Sequence, residues 1–330
     1  MIDEVVEALG LQVGIDLKLA EPPRPLTGGF WATMSVVRLR TTDALPTALA
    51  GDLVVRLMPD ATTGRYETEV QELAHRGGVP VAAVHGGGVL DSDPTYAWMV
   101  MDLAAGSPML ADISASKALR LAPTLARQLP DVLADAASRV HQCDTAGWHD
   151  TLSATGREPG IVSFLERLAT HALAMGDSGL AAHADRLAAE AGSNKVLCHG
   201  DIHPFNLLVD GDHWTLIDWS TAVLADPHYD LAFTDLLLRN PPLGGPPMLR
   251  SAAARIGARI ARRFLDHYEL RSGKPIDAER LAWGRQVHAT RALVEVAGWC
   301  AAGTEDAHRG HPWLTLEPTL REVLSTGART

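Results

Sequence analysis

Apolar and polar residues alternate with a period of two over residues 33–40 and again over 52–58, with the turn-rich stretch TTDALPTALAG between them. This pattern predicts two strands of a small antiparallel sheet joined by a loop. In the second run Leu53, Val55 and Leu57 share one face while Val54, Arg56 and Met58 share the other, so Arg56 stands among apolar neighbours. The period then becomes helical: over residues 64–77, Tyr66, Val70, Leu73 and Ala74 fall on one face, and a glycine pair ends the run. Glu69 borders that inward face, whereas Glu67 and Glu72 lie further round. Two more apolar stretches, 79–84 and 95–103, complete a predicted five-stranded sheet with one helix.

Past the short connector AAGSP at 104–108 the pattern changes. Ala- and Leu-rich helical periodicity covers 118–141, 161–191, 249–268 and 276–302. The expected architecture is therefore α+β in two lobes: a small antiparallel-sheet lobe over residues 1–103 and a larger, mainly helical lobe over 104–330.

Composition narrows the picture. A chain of 330 residues exceeds the usual span of one domain, and 46% hydrophobic with 21% charged residues excludes a disordered, collagen-like or coiled-coil chain. A formal charge of -11 is the wrong sign for gripping nucleic acid or an anionic membrane. Cys143, Cys198 and Cys300 are too scattered for a disulfide framework or a CxxC knuckle. The first ten residues carry three acids and no basic stretch, and no apolar run approaches the ~20 residues of a membrane span, so a cytoplasmic protein is expected.

One segment interrupts the helical half, and most of the chemistry lies there: residues 198–230, CHGDIHPFNLLVDGDHWTLIDWSTAVLADPHYD. Asp210-Gly211 between two apolar runs predicts a tight hairpin, because glycine accepts positive φ without a Cβ clash. A two-residue loop sets Asn206 opposite Thr215 and a four-residue loop sets it opposite Ile217, and either is expected to bring Asn206 toward Asp218. Asp201 lies five residues before Asn206, on a loop. Three oxygen-bearing side chains gathered in this way suit Mg²⁺, a hard cation held by a few carboxylates or amides together with substrate phosphates. The same order serves protein kinases, with an Asp as base, an Asn four intervening residues later on metal, and a further Asp after a short hairpin.

On these residues the chain resembles the aminoglycoside phosphotransferase family of kinase-like enzymes, which also includes macrolide, choline, homoserine and fructosamine kinases. The likeness runs from Thr27-Gly28-Gly29-Phe30 through Leu53-Val-Val-Arg56-Leu and Trp98-Met-Val-Met101 to HGDIHPFN and LIDWSTAVLADPHYDLA, with Val140-His141-Gln142 closing a helix before the site. It implies a bilobal protein-kinase-like fold that moves the γ-phosphoryl of ATP or GTP onto a hydroxyl of a small molecule, an aminoglycoside- or macrolide-type antibiotic among the candidates. Asp201 would be the base or hydroxyl-orienting carboxylate, with Asn206 and Asp218 on Mg²⁺. Arg56 would meet the nucleotide phosphates and pair with Glu69. Gly28 and Gly29 would let backbone approach the phosphates, and Met101, Asp102 and Leu103, next to a hinge near 101–106, would meet the base of the nucleotide. The expected assembly is a monomer or homodimer.

The family's usual lysine is absent: no lysine occurs between Lys18 and Lys117, and Arg56 is the only cation in its strand. That absence keeps open a nucleotide-binding regulator without transfer, and His199, Asp201 and His203 leave a metal-dependent hydrolase as a third reading. His288, Arg291, Glu295 and Trp299 recur at helical spacing and form either a solvated face or a substrate-reading stripe. Asp230 joins them as a substrate-side candidate, its other reading being a brace for the catalytic loop. Arg255, Arg259 and Arg262 read as a surface stripe.

Overall fold

The computed structural model describes residues 1–26, 32–42, 44–110, 115–193, 195–241 and 247–327. The chain divides into two compact units. The first comprises Met1–Ser107 with two later segments, Thr145–Glu158 and Leu207–Thr221. The second comprises Pro108–Asp144, Pro159–Asn206 and Ala222–Thr330.

The first unit carries an antiparallel five-stranded sheet in the order Arg24–Leu26, Thr33–Val37, Leu53–Met58, Ala97–Asp102, Val84–Val89. Leu53–Met58 is buried along its whole length. Its Leu53, Val55 and Leu57 face pack with Trp98 and Val100 onto Val5, Val6 and Leu9 of an N-terminal helix, Ile2–Val13. Val54 and Met58 form the other face with Ala97, Met99 and Met101.

Two of the expected strands differ from the sheet that forms. The fifth strand is Arg24–Leu26, and the apolar run 79–84 is a buried connector, with strand structure starting only at Val84. Pro80 has no N–H to give a ladder, and its carbonyl instead accepts the Leu216 amide at 2.9 Å. The strand itself contains Gly86, Gly87 and Gly88, where a Cβ would meet Leu9 at 2.6 Å, Thr68 at 2.7 Å and the Trp98 indole at 3.2 Å, respectively. Residues 33–40 likewise split: Thr33–Val37 stays in the main sheet, and Leu39–Arg40 pairs with Lys18–Leu19.

The helix expected from residue 64 begins three residues earlier, as Ala61–Arg76, because Asp60 caps it by accepting the Thr63 amide at 2.7 Å. The predicted hairpin forms between Leu207–Asp210 and His213–Leu216, with Leu207 opposite Leu216 and Asp210 opposite His213. This is the Ile217 register, but Asp210 and His213 also pair, so a two-residue turn closes it in place of the expected four, with Gly211 at φ 60° in its first central position. A single cut near 104 therefore misplaces the hairpin, which the Leu216–Pro80 bond joins to the sheet-bearing unit.

The second unit is helical around one short antiparallel pair, Val196–Cys198 with Val223–Ala225. Its core joins Leu165, Leu187, Cys198, Val223, Tyr229, Phe233, Trp283, Val287 and Leu293. The apolar run 161–191 breaks into Ile161–Ala174 and Ser178–Ala189, since Gly176 adopts φ 81° and Asp177 caps the second helix through the Leu180 amide at 2.9 Å. The remaining long helices are Ala115–His141, His228–Arg239, Pro247–Ser272, Ala278–Ala302 and Pro312–Gly327. No helix among the described residues is long and apolar enough to cross a membrane.

Candidate active site

In the second unit, strand Val196–Cys198 delivers the chain into the loop His199–Asn206, and the loop's backbone is fixed from several directions. Gly200 turns at φ 79°. Asp230, fully buried near the start of helix 228–239, accepts the amides of His199 at 2.8 Å and Gly200 at 2.6 Å. Its Oδ2 also lies 3.1 Å from His141 Nε2, whose Nδ1 meets the Tyr268 hydroxyl at 2.8 Å. Burial pushes the Asp230 carboxyl up, but His141, His199 and the Gly200 amide outweigh it and hold it below the usual range. Further along, Thr234 Oγ1 donates to the Ile202 carbonyl at 2.8 Å and Arg291 Nη1 to the Gly200 carbonyl at 3.0 Å.

Asp201 projects from this braced loop. Asn206 Nδ2 donates to its Oδ2 at 3.0 Å and to its carbonyl at 3.1 Å, and His203 Nε2 stands 3.5 Å from Oδ2. Burial alone would raise the carboxyl, yet His203, Arg291 and His199 together hold it well below the ordinary carboxylate range. It is ionised at any physiological pH. With the Asn206 amino group committed to Asp201, its side-chain oxygen is the atom left to ligate a cation.

In the first unit the central side chain is Arg56. It is 7% exposed, and its Nη2 lies 3.1 Å from Glu67 Oε1 and 3.3 Å from Asp218 Oδ1. Asp218 is the one non-glycine residue with positive φ among the described residues, at 66°, and it also accepts the Ser220 hydroxyl at 2.8 Å. Among the described residues its second oxygen has no protein donor, and a hard oxygen donor suits Mg²⁺. Burial lowers the Arg56 guanidinium pKa, but Glu67 and Asp218 more than restore it. Burial raises Glu67 to about 7, offset in part by Arg56 and raised again by Asp218. Both shifts follow from one arrangement: two carboxylates compete for one buried cation, which favours the cation and penalises the fully enclosed acid.

The turn around Asp218 is tied to helix 61–76 by a second arginine. Arg157 sits over the Tyr66 ring at 4.3 Å from its centroid and donates from Nη1 to the Ser220 carbonyl at 2.9 Å.

Several expectations change here. The partner of Arg56 is Glu67, not Glu69: Glu69 is partly exposed and lies 3.6 Å from Arg76. Glu67, Val70, Gln71 and Ala74 form the buried stripe of helix 61–76, so two polar residues lie on its inward face. A hydropathy pattern turns every glutamate outward; only the guanidinium inside makes burial of this one tolerable. Arg56 lies on a central strand of the sheet and is buried. Asp230 and His288 are 0% and 1% exposed and cannot meet substrate. His288 Nε2 bonds the Tyr229 carbonyl at 2.8 Å, and burial with nearby Arg291 lowers its pKa to about 3. Arg291 is also buried, pairing with Glu295 Oε1 at 3.0 Å, so the stripe on helix 278–302 is not a solvated face.

Met101 and Asp102 end strand Ala97–Asp102, and the Asp102 amide is already given to Ala83, while Leu103 is exposed. Gly28 and Gly29 lie outside the described residues. His199 is buried and its Nδ1 accepts the Asp201 amide at 3.2 Å, so it is not a free metal ligand and the hydrolase reading loses a donor. Arg157 escaped sequence reasoning altogether, since a single arginine in a loop carries no pattern.

A loop that holds an ionised aspartate against an asparagine, and a strand cation paired to a helix glutamate, define the kinase-like class of phosphotransferase. The chain belongs to the phosphotransferase enzyme family, whose model matches residues 33–269. Among solved structures it is similar to a thermostable APH(4)-Ia aminoglycoside phosphotransferase variant in complex with AMP-PNP and hygromycin B, at 17% identity and a TM-score of 0.62 over 99% of this chain and 100% of that one. A Ralstonia eutropha JMP134 protein provisionally assigned as an aminoglycoside phosphotransferase gives 18% identity and 0.61 over 98% and 96%. APH(2")-IIia with GDP and kanamycin gives 16% and 0.58 over 96% and 97%. At these identities the likeness establishes the fold. A search of curated proteins by sequence finds no match.

Proposed function

We propose that this chain transfers the γ-phosphoryl group of ATP or GTP to a hydroxyl of a small molecule. The hydroxyl oxygen bonds to the γ-phosphorus as the bond to the β–γ bridging oxygen breaks, the nucleoside diphosphate leaves, and the hydroxyl proton passes to Asp201. A carboxylate held so low is a weak base, so its contribution is to orient the hydroxyl and take the proton late. Asn206 and Asp218 would hold Mg²⁺, which would supply charge neutralisation at the phosphates. Arg56 grips phosphate oxygens and is positioned by Glu67. Relatives of this fold have been crystallised with an adenine or a guanine nucleotide, and both are kept as co-substrates here.

The observation that carries this reading is the fixation of Asp201: ionised, bonded to Asn206, on a loop clamped by Asp230, Thr234 and Arg291. Asp201→Asn should keep the Kd for Mg²⁺-nucleotide and lower acceptor-dependent phosphate transfer by about 10²–10⁴-fold. Turnover within threefold of the wild-type rate would end the proposal.

A further inference from the structure

A path of hydrogen bonds runs from helix 312–327 to the catalytic loop. Trp313, in the first turn of that helix and 5% exposed, donates its indole N–H to Glu295 Oε2 at 2.9 Å. The other oxygen of Glu295 accepts Arg291 Nε at 3.0 Å, one turn back on helix 278–302. Arg291 Nη1 then donates to the Gly200 carbonyl at 3.0 Å. Gly200 immediately precedes Asp201, so the last bond fixes the peptide from which the catalytic carboxylate projects. Trp299, the fourth residue of the same stripe, stacks on His308 at 4.3 Å and lies outside the path.

Each link depends on the one before it. The Arg291 guanidinium is a flat fork on a long stem, and one bond to a carbonyl does not fix its plane. Glu295 fixes it from the next helical turn, the spacing at which i and i+4 side chains meet. The Glu295 side chain is itself 34% exposed and can turn to water unless its second oxygen is held. The indole of Trp313, a donor with no acceptor function, holds that oxygen. Packing fixes Trp313 in turn, since Leu316 and Leu320 of its helix share one core with Leu293 and Val296. Arg291, Glu295 and Trp313 all lie beyond residue 269, where the match to the family ends.

Resting on the phosphotransfer reading above, we propose that Arg291 and Glu295 are positioning residues and not substrate contacts, and that helix 312–327, through Trp313, sets the attacking geometry of Asp201. A misplacement of about 1 Å at reacting groups can cost about 10²-fold in rate, so breaking the path slows transfer and leaves nucleotide affinity alone.

Trp313→Phe keeps a ring and removes only the N–H. Phosphate release from ATP and from GTP is followed in single turnover with Mg²⁺, water standing in for the acceptor hydroxyl. It should slow about five- to tenfold in Trp313→Phe and in Glu295→Gln, the scale of one buried hydrogen bond, while the calorimetric Kd of AMP-PNP for the full chain stays within about twofold. Arg291→Met should slow it about a hundredfold, and Arg291→Lys, which keeps a charged donor for the Gly200 carbonyl, should recover part of that loss. Trp313→Phe combined with Glu295→Gln should be no slower than the slower single variant, because both break one path. Hydrogen exchange separates positioning from lost stability: in Trp313→Phe the amides of 201–206 should exchange faster while those of strand Val196–Cys198 keep their rates. Single-turnover rates within twofold of wild type in Trp313→Phe and Glu295→Gln, faster exchange of strand and loop together, or no phosphate release by a wild type that binds AMP-PNP would each overturn the assignment. Failure of AMP-PNP and of a GTP analogue to bind with Mg²⁺ would refute phosphotransfer itself, so the two failures are distinguishable.

Discussion

Glu67 offers a quantitative check on the small-unit network. Enclosure raises its pKa from 4.5 to about 7, which corresponds to about 3 kcal/mol. The folded state therefore holds the proton more tightly than the unfolded chain. This favourable contribution is complete below about pH 4.5 and is lost as pH rises through about 7. Glu67→Gln keeps the shape and removes the titration. Relative to that variant, the wild-type chain should lose up to about 3 kcal/mol between pH 4.5 and 8, equivalent to about 4 °C in melting temperature for a chain of this size. Thermal unfolding of both proteins at half-unit pH steps reads the difference directly. A gap between the two melting temperatures that stays constant from pH 5 to 8 would refute the burial argument. In activity the sign reverses, because the ionised acid is the form that grips Arg56: the nucleotide KM should fall as pH rises through about 7 in the wild type and lose that step in Glu67→Gln.

Arg56→Ala should raise the nucleotide KM or lower kcat by about tenfold or more, with Arg56→Lys retaining part of the activity; a steady-state nucleotide titration decides. Combined with Glu67→Ala the effects should be non-additive, whereas Glu69→Ala should change the nucleotide KM less than about twofold, as measured in the same titration. Arg157→Met removes the Tyr66 stack and the bond to the Ser220 carbonyl, so the Mg²⁺ concentration for half-maximal turnover should rise severalfold while the acceptor KM stays put. Asp230→Ala orphans two buried amides and His141 and should cost about 3–5 kcal/mol of stability by chemical denaturation.

Much of the molecule was legible in the chain. Period-two runs marked the central strands, helical runs marked the long helices, and the spacing of Asp201, Asn206, Asp210-Gly211 and Asp218 pointed to the phosphotransferase family, because loops and tight turns depend on local order that a linear sequence preserves. The pattern failed where a residue's environment comes from distant chain. Glu67 was read outward because charge is exposed by default, and only Arg56 and the Asp218 turn, over 150 residues later in the chain, make its burial tolerable. Pro80 lies in a connector, its carbonyl taken by the Leu216 amide, and the strand glycines 86–88 are closed in by distant side chains, Leu9 and Gln12 at Gly86, Thr68 at Gly87 and the Trp98 indole at Gly88. His288, a substrate-side candidate by helical spacing, is a buried support, and Asp230 takes its brace reading through the His199 and Gly200 amides. Periodicity reports which face of an element is apolar; which polar groups find partners inside that face is decided only when the elements pack.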